Sequence, residues 1–433
     1  MSKKPNIILF ITHDQGQYLG CYNSLQTPNS LKTPNLDEVA KNGVRFTNYF
    51  CTAPQCSPSR GSIQTSLYPH QNGLMGLVDR GWTLPEINKT LPMYLKENGY
   101  TTHLMGFQHE VFDAYTLGYD TISKRRSEPL YNCQKMNKNY QEFFKTHQND
   151  DNPFYVCIGV TQVHRPFGVW GDPVDPDSVI IPPFLPDNEI VREDLSQFYG
   201  AIQGVDSCIG NIINELEDLD LRENTLFIYT TDHGEAYPRA KCTLFDPGIK
   251  TLLLMSWPNS NIIQKSTVYH QMISNIDLLP TVLDLIGAEM PNKVEGRSFL
   301  PLLKGQTDIF REEIYSEKTF HEIYDPIRSI RTEKFKFIIN FEKSKNLYQI
   351  GMDIQQDALG KYMLELINKP RPDRELYDLK NDPNETINLV DDLGYKEIVL
   401  ELKDKLFNWM KQTKDPILNG KIEDQRKENP RKY

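Results

Sequence analysis

The residues Cys56-Ser57-Pro58-Ser59-Arg60 place a thiol, two hydroxyls and a guanidinium within one short segment of the chain. The cysteine is a candidate nucleophile, the proline stiffens the turn, and the residues that follow can open a helix around an anion. The same letters also fit a buried cysteine in front of a serine that caps a helix. The segment alone therefore does not separate a reaction centre from an ordinary helix start.

Four short apolar runs, each typical of a buried strand, are followed by acids or histidines. The runs and the residues after them are Asn6–Ile11 before Thr12-His13-Asp14, Tyr100–Met105 before Gly106-Phe107-Gln108-His109, Phe154–Val160 before Thr161-Gln162-Val163-His164-Arg165, and Thr225–Tyr229 before Thr231-Asp232-His233-Gly234. Because ligands bind beyond the carboxyl ends of parallel strands, we expect these side chains along one edge of a sheet. A single histidine there is more often structural, but four coincidences of type and position favour a shared site.

Helical patterns separate these strands. They predict helices over Leu36–Lys41, Leu91–Asn98, Phe198–Leu219 and Ile276–Ile286, and a further strand over Thr251–Trp257. The alternation predicts an α/β fold with a large mixed, mostly parallel sheet sandwiched by helices. A small β unit at Phe335–Phe341 indicates a second, α+β subdomain with an antiparallel sheet. We therefore expect an α/β domain over residues 1–308 and a C-terminal subdomain over 309–433.

The 433 residues carry a net charge of −10 without a long basic run, so nucleic acid is excluded as a general partner and any anion has to meet a local basic pocket. The apolar run at Ile7–Ile11 is shorter than the ~7–15 residues of a secretory core, and no window approaches the ~20 apolar residues of a membrane span. We expect a soluble, cytoplasmic protein without a membrane partner, and leave a removed leader open. The seven cysteines form no CxxC pair, which favours reduced, mostly buried thiols.

Longer segments resemble the type I sulfatases in their usual order. These segments are NIILFITHDQGQYLGCYN, TPNLDEVAKNGVRFTNYFCTAPQCSPSRGSIQTSLYPHQNG, TTDHGEAYPRAKCTLFDPGIKTLLLM, SNIDLLPTVLDLIG and, near the C-terminus, ELYDLKNDPNETINLV. The resemblance covers most of residues 5–305, and the QNG after PH is most similar to the heparan N-sulfatase (sulfamidase) branch. It implies an alkaline-phosphatase-like core and a cysteine, Cys56, that a formylglycine-generating maturation enzyme oxidises to an aldehyde.

The resemblance also implies a divalent metal, usually calcium, held by Asp14, Asp232, His233 and the residue made from Cys56. Carboxylates at separate strand ends suit such a hard cation. The chain departs from the family at His13, where an aspartate is usual. An imidazole there favours magnesium, manganese or zinc, and His13 is either a further ligand or a residue that orients Asp14.

Catalytic roles follow from the same resemblance. Arg60 would hold the hydrated aldehyde, Lys241 would bind sulfate oxygens, His109 would accept a proton, and His164 would protonate the leaving atom. Phe107 replaces the lysine that usually precedes the histidine here by two residues. Four further residues are candidates for substrate binding, the last two of them from the C-terminal subdomain: Arg165, Arg239, His321 and Glu322.

Together these features predict a sulfatase that hydrolyses sulfate esters or sulfamates of a sulfated carbohydrate, such as a heparan-type N-sulfoglucosamine. A phosphonate or phosphate ester hydrolase of the same superfamily is the alternative, because those relatives often pair aspartate with histidine as in Asp232-His233. A third hypothesis is a non-catalytic relative that binds sulfated glycans. The sequence does not decide the sugar, the sulfate position or the oligomeric state.

Overall fold

The computed structural model describes residues 4–22, 31–123 and 132–425. Within these ranges the strands are β1 (Asn6–Thr12), β2 (Val44–Phe50), β3 (Thr101–Gly106), β4 (Thr121–Ser123), β5 (Phe154–Gly159), β6 (Thr225–Thr231), β7 (Lys250–Ser256), β8 (Thr267–Tyr269), β9 (Ile273–Ser274), β10 (Glu313–Phe320), β11 (Tyr324–Thr332), β12 (Phe335–Asn340) and β13 (Arg374–Asp378). The helices are α1 (Pro34–Lys41), α2 (Cys56–Thr65), α3 (Pro69–Asn72), α4 (Leu91–Glu97), α5 (Asn137–His147), α6 (Glu189–Asp218), α7 (Asp246–Ile249), α8 (Leu278–Leu285), α9 (Leu300–Leu303), α10 (Met352–Gln355), α11 (Ala358–Leu366) and α12 (Lys396–Gln412).

Nine strands form the central sheet, in the order β4-β3-β5-β1-β6-β7-β2-β8 with β9 paired to β2. Strands β4, β3, β5, β1 and β6 are parallel neighbours, whereas β7 is antiparallel to both β6 and β2. On β1, Ile8 and Phe10 pack into one hydrophobic cluster and Leu9 into the other, so both faces of the strand are buried. This double burial explains the unbroken apolar run. The predicted mixed, mostly parallel sheet between helices is confirmed.

The strands that carry the candidate side chains are direct neighbours in this sheet. β3, β5, β1 and β6 lie side by side, and the register pairs Thr12 with Thr231 and both Ile11 and Gly106 with Gly159. Their carboxyl ends therefore end at the same level along one edge. The shared edge that the sequence predicts is therefore present in the sheet.

The predicted helices are present, but α6 begins well before the predicted start at Phe198. The side chain of Asn188 accepts a hydrogen bond from the Val191 amide at 3.0 Å and caps the helix there. The helix predicted from Ile276 begins instead with a 3-10 turn over Asn275–Asp277, which continues into α8. None of the helices in the described ranges is both long and apolar enough to span a bilayer.

A second sheet of four antiparallel strands has the order β10-β11-β12-β13. Helix α12 packs on it through Leu402 and Leu406, which share a cluster with Phe337. The edge strand β10 bonds to the central domain, because the Glu317 amide donates to the Thr52 carbonyl at 2.7 Å. The second sheet is thus fixed beside the carboxyl edge of the first.

The cysteines correct one expectation. Cys133 and Cys208 form a disulfide with their Cα atoms 6.0 Å apart, so the prediction of reduced thiols is wrong for this pair. The two residues are 75 positions apart, and only the packing of α6 brings Cys208 to its partner. The remaining cysteines, including Cys56, are free thiols.

A buried ion pair ties the C-terminal segment to the second sheet. Arg328 on β11 donates to Asp415 from Nε at 2.5 Å and from Nη2 at 3.0 Å, and both residues are almost fully buried. Removing one member of such a pair leaves a buried charge without its partner.

We expect Asp415→Asn to lower the free energy of unfolding by roughly 1–3 kcal/mol, because Arg328 then loses the closer of its two buried counter-ions and keeps only Glu317, 3.4 Å away. Urea titration followed by circular dichroism measures this change. The matched control is Asp187→Asn, since Asp187 forms a solvent-exposed pair with Arg192 and its loss should change stability much less than the loss of the buried pair. Equal effects of the two variants would contradict the importance of the buried pair.

Candidate active site

Helix α2 begins at Cys56, and every residue of this helix is buried. The Ser57 hydroxyl accepts a hydrogen bond from the Val78 amide at 3.1 Å, while Asn275 donates to Ser59 Oγ at 3.0 Å. Ser59 in turn donates to the Asp232 carbonyl, so the helix start is bonded to the end of β6. These bonds fix Cys56 at the carboxyl edge of the central sheet.

Five predicted side chains meet at this edge. Within the described residues, the ligand atoms of one buried cluster all lie within 4.8 Å of one another, and the cluster consists of His13, Asp14, Cys56, Asp232 and His233. Asp14 Oδ1 is 2.8 Å from His13 Nδ1 and 2.9 Å from His233 Nε2. Cys56 Sγ lies 3.4 Å from His233 Nε2.

The chemistry of this cluster fits a divalent cation. Two carboxylates supply hard oxygen ligands, and two imidazoles and a sulfur supply donors that manganese and zinc accept more readily than calcium does. Burial lowers the pKa of His13 to about 4, which keeps this imidazole neutral as a metal ligand has to be. Asp14 adopts a φ of 53°, a conformation that is uncommon for a residue other than glycine and that concentrates at functional sites.

Buried cations compensate the two carboxylates. Burial by itself raises the pKa of the Asp14 carboxyl, but Lys241 and the nearby imidazoles outweigh it and hold that pKa well below its usual value. Lys241 Nζ is 2.7 Å from Asp14 Oδ2. Arg60 donates from Nε to Asp232 Oδ2 at 3.0 Å and from Nη2 to the Thr12 carbonyl at 3.0 Å. Arg60 and Lys241 are thus held at the site by the same acids that define it.

Phe107 packs against Arg60. The Arg60 guanidinium carbon is 5.1 Å from the centre of the Phe107 ring, which is within the range of a cation–π contact. The Phe107 ring therefore stabilises the Arg60 charge.

Lys241 also contacts two residues away from the metal-type cluster. Its Nζ lies 2.8 Å from Asp353 Oδ2 and 3.4 Å from His164 Nε2. His164 Nδ1 lies 2.7 Å from the Arg165 carbonyl, so we assign a proton to Nδ1 for this hydrogen bond. The other ring nitrogen, Nε2, then faces Lys241 and Asp353. Asp353, on α10, was not predicted, because the surrounding sequence contains no recognisable motif.

His109 lies at the same edge, with its ring centre 6.4 Å from that of His13. Its Nε2 is 3.2 Å from Asp79 Oδ1, and Asp79 is a second residue that the sequence analysis did not identify.

The four predicted substrate-binding residues divide into two pairs. Arg165 is buried and bonded to Asp194 at 2.6 Å, and Arg239 stacks on Phe245 at 4.2 Å, so neither guanidinium enters the cluster.

His321 and Glu322 lie closer to the cluster. Burial, reinforced by the Lys241 charge, lowers the pKa of His321 to about 3. Glu322 pairs with Arg80 at 2.9 Å and accepts a hydrogen bond from the Met352 amide at 3.2 Å, next to Asp353.

The site combines a helix that begins at a cysteine with a buried cluster of carboxylates and imidazoles. Both lie at the carboxyl edge of a mostly parallel sheet, an arrangement typical of hydrolases with the alkaline-phosphatase-like fold. The model of the sulfatase family matches residues 5–288. A second model, described as N-sulphoglucosamine sulphohydrolase, C-terminal, matches residues 234–370. The chain therefore belongs to the sulfatase family, near the sulfamidase branch, and the prediction of a sulfuric ester or sulfamate hydrolase is confirmed.

Two curated relatives and one solved structure are similar to the chain. An ulvan-active sulfatase of Formosa agariphila is 32% identical over 443 residues, covering 98% of this chain and 83% of the relative. Human N-sulphoglucosamine sulphohydrolase is 26% identical over 473 residues, covering 96% and 91%. A structure solved in complex with its substrate, D-glucosamine-2-N,6-O-disulfate, is 20% identical with a TM-score of 0.75 and covers 97% of this chain and 100% of its own.

We expect His233→Gln to lower the content of bound divalent metal at least roughly tenfold, because the variant loses a nitrogen donor without a change of charge. Elemental analysis of dialysed protein, before and after incubation with calcium, magnesium, manganese or zinc, measures this content. His270→Gln is the control, since His270 is exposed and contacts Thr47. Equal metal content in wild type and His233→Gln would remove His233 from the site.

Proposed function

We propose that this protein hydrolyses sulfate esters or sulfamates of a sulfated carbohydrate, with a heparan-type sulfated glucosamine as the substrate. The observation that carries this proposal is the meeting of Cys56, the metal-type cluster and the buried cation Lys241 at one point. The similarity to human N-sulphoglucosamine sulphohydrolase and the ulvan-active sulfatase supports a sulfated glycan as substrate.

Cys56 is better suited as a precursor than as a thiolate nucleophile. Burial raises the pKa of the Cys56 thiol well above its ordinary value, and the Lys241 ammonium only partly offsets this effect. A thiol that stays protonated is a weak nucleophile. We therefore propose that a maturation enzyme converts Cys56 to formylglycine, which supplies a hydrated aldehyde as the nucleophile.

The residues that would hold the metal are Asp14, Asp232, His233 and the modified residue 56, with His13 as a further ligand or an orienting residue. When bound, the ion supplies a Lewis acid beside the nucleophile and neutralises the two buried carboxylates. The family implies calcium, while the two imidazoles suit zinc and, less strongly, manganese.

The remaining groups bind the sulfate and move protons. Lys241, which is fixed between Asp14 and Asp353, binds sulfate oxygens and stabilises the charge that develops on them. Arg60 orients the nucleophile from its position on Asp232. His164 acts as the acid in its imidazolium form, which keeps the Nδ1 proton on the Arg165 carbonyl and gives the Nε2 proton to the departing oxygen or nitrogen. His109 accepts the proton released beside residue 56.

The described part of the C-terminal region, residues 309–425, contributes the outer part of the pocket. Asp353 contacts Lys241 directly, while Glu322 reaches Arg80 on the segment that follows α3. We propose that His321 and Glu322 bind the sugar. We propose further that Arg165 and Arg239 act on more distant parts of the glycan, because their contacts hold them away from the cluster.

A substrate panel separates this function from its alternatives. We expect turnover of N-sulfoglucosamine or glucosamine 6-sulfate and of an aryl sulfate, an intact mass lowered by ~18 Da at residue 56, and neither in Cys56→Ala. Dominant turnover of a phenyl phosphonate ester would favour the phosphonate hydrolase. Sugar binding without any turnover or change of mass, after expression with a maturation enzyme, would favour the non-catalytic relative.

The proposed role of His164 predicts a dependence on the leaving group. We expect His164→Gln to lower kcat on the sulfated sugar by roughly 10²- to 10⁴-fold but on 4-nitrophenyl sulfate by less than about tenfold, because nitrophenolate departs without a proton. Steady-state kinetics on both substrates measure the difference. His147→Gln is the control, because His147 lies on α5 away from this edge. Equal losses on both substrates would contradict an acid role.

A further inference from the structure

The segment Val78–Arg80 forms a 3-10 helix that is bonded on two sides. The Val78 amide donates to Ser57 Oγ at 3.1 Å, directly beside Cys56. Arg80 pairs with Glu322 at 2.9 Å, which ties the segment to the region of the second sheet. Asp79, between these two anchors, is therefore held at a defined distance from the start of α2.

The carboxylate of Asp79 contacts the ring of His109. Asp79 Oδ1 is 3.2 Å from His109 Nε2. Burial by itself raises the pKa of Asp79, but the hydrogen bond and charge of His109, with help from Arg80, lower it to about 2. An ionised carboxylate only accepts hydrogen bonds, so the shared proton lies on Nε2 of the imidazole.

The other ring nitrogen of His109 is left without a partner. Nδ1 is buried, and no group in the described part of the chain hydrogen-bonds to it. A buried polar atom without a partner carries a desolvation cost and calls for an explanation. A proton on Nε2 makes Nδ1 the nitrogen with the free lone pair.

Other contacts restrain the ring without choosing its tautomer. The His109 amide donates to the Glu110 carboxylate at 2.6 Å, and the Phe107 and His13 rings lie 5.4 Å and 6.4 Å from the His109 ring. The aromatic contacts carry no hydrogen bond to a ring nitrogen. Among the described residues, only Asp79 hydrogen-bonds to the imidazole.

We propose that Asp79 is a positioning residue that fixes His109 in the Nε2-protonated tautomer, so that Nδ1 is the atom that accepts the proton during turnover. This inference rests on the proposed role of His109 as proton acceptor. The carboxylate holds the ring and stabilises the imidazolium that forms, and it takes up no proton itself, as in other histidine–aspartate pairs. The wrong tautomer would present an N–H where a lone pair is needed.

Two variants test the proposal by kinetics. In Asp79→Asn the amide can donate to Nε2 and favour the opposite tautomer, so we expect kcat to fall by roughly 10²- to 10⁴-fold with KM changed less than about threefold. Asp79→Glu keeps a carboxylate and should recover at least a tenth of the lost kcat. Asp187→Asn, an exposed carboxylate paired with Arg192, is the matched control. Thermal midpoint and the formylglycine content of each protein should equal those of the wild type.

A spectroscopic measurement tests the same idea without a change in the pair. Nitrogen-15 spectra of histidine-labelled wild-type protein, with the His109 signals assigned from His109→Gln, should show a protonated Nε2 and an unprotonated Nδ1. Asp79→Asn should lose this pattern.

Two outcomes would overturn the inference: a protonated Nδ1 in the active wild type, or kcat of Asp79→Asn within about twofold of wild type. Either result would leave the sulfatase function intact if the wild type turns over the sulfated sugar. Absence of turnover in the wild type, by contrast, would remove the proposed function itself.

Discussion

The burial of two carboxylates, Asp14 and Asp232, at the end of adjacent parallel strands is the constraint on which the rest of the site depends. Isolated charges at this depth would cost several kcal/mol each, so the structure has to supply cations or a metal next to them. Arg60 comes from the buried helix α2 and Lys241 from the loop after β6. Arg60 contacts Asp232 and Lys241 contacts Asp14 at hydrogen-bond distance. Helix α2 and the loop after β6 thus bring a positive charge to each buried carboxylate.

Lys241 supplies the buried ammonium of the site, while Phe107 packs its ring against Arg60. Lys241 contacts Asp14, Asp353 and His164, so a single ammonium connects the central sheet with the C-terminal region. Its neighbour Asp353 then influences how strongly that ammonium is available to an anion. Lys241 and its partner Asp353 together determine how much positive charge the pocket presents.

The sequence allowed the central sheet and most of the inner site to be predicted, because acids and histidines follow continuous apolar strands and parallel strands end at one edge. The same reasoning could not find Asp79 or Asp353, since each reaches the site from an irregular segment or a short helix without a periodic pattern. The start of α6 was missed although Val191 and Leu195 continue the apolar spacing before Phe198, and the Asn188 cap marks the boundary. The disulfide was missed because Cys133 and Cys208 meet only through tertiary packing.

The burial of Cys56 also bears on the order of events during biosynthesis. The residue is 3% exposed, and every residue of the helix that begins with it is buried. An enzyme that oxidises this thiol has to reach its sulfur, which the packed helix covers. The proposed modification therefore has to precede folding, and a chain that folds first would retain an inert thiol that no later treatment with the maturation enzyme could reach.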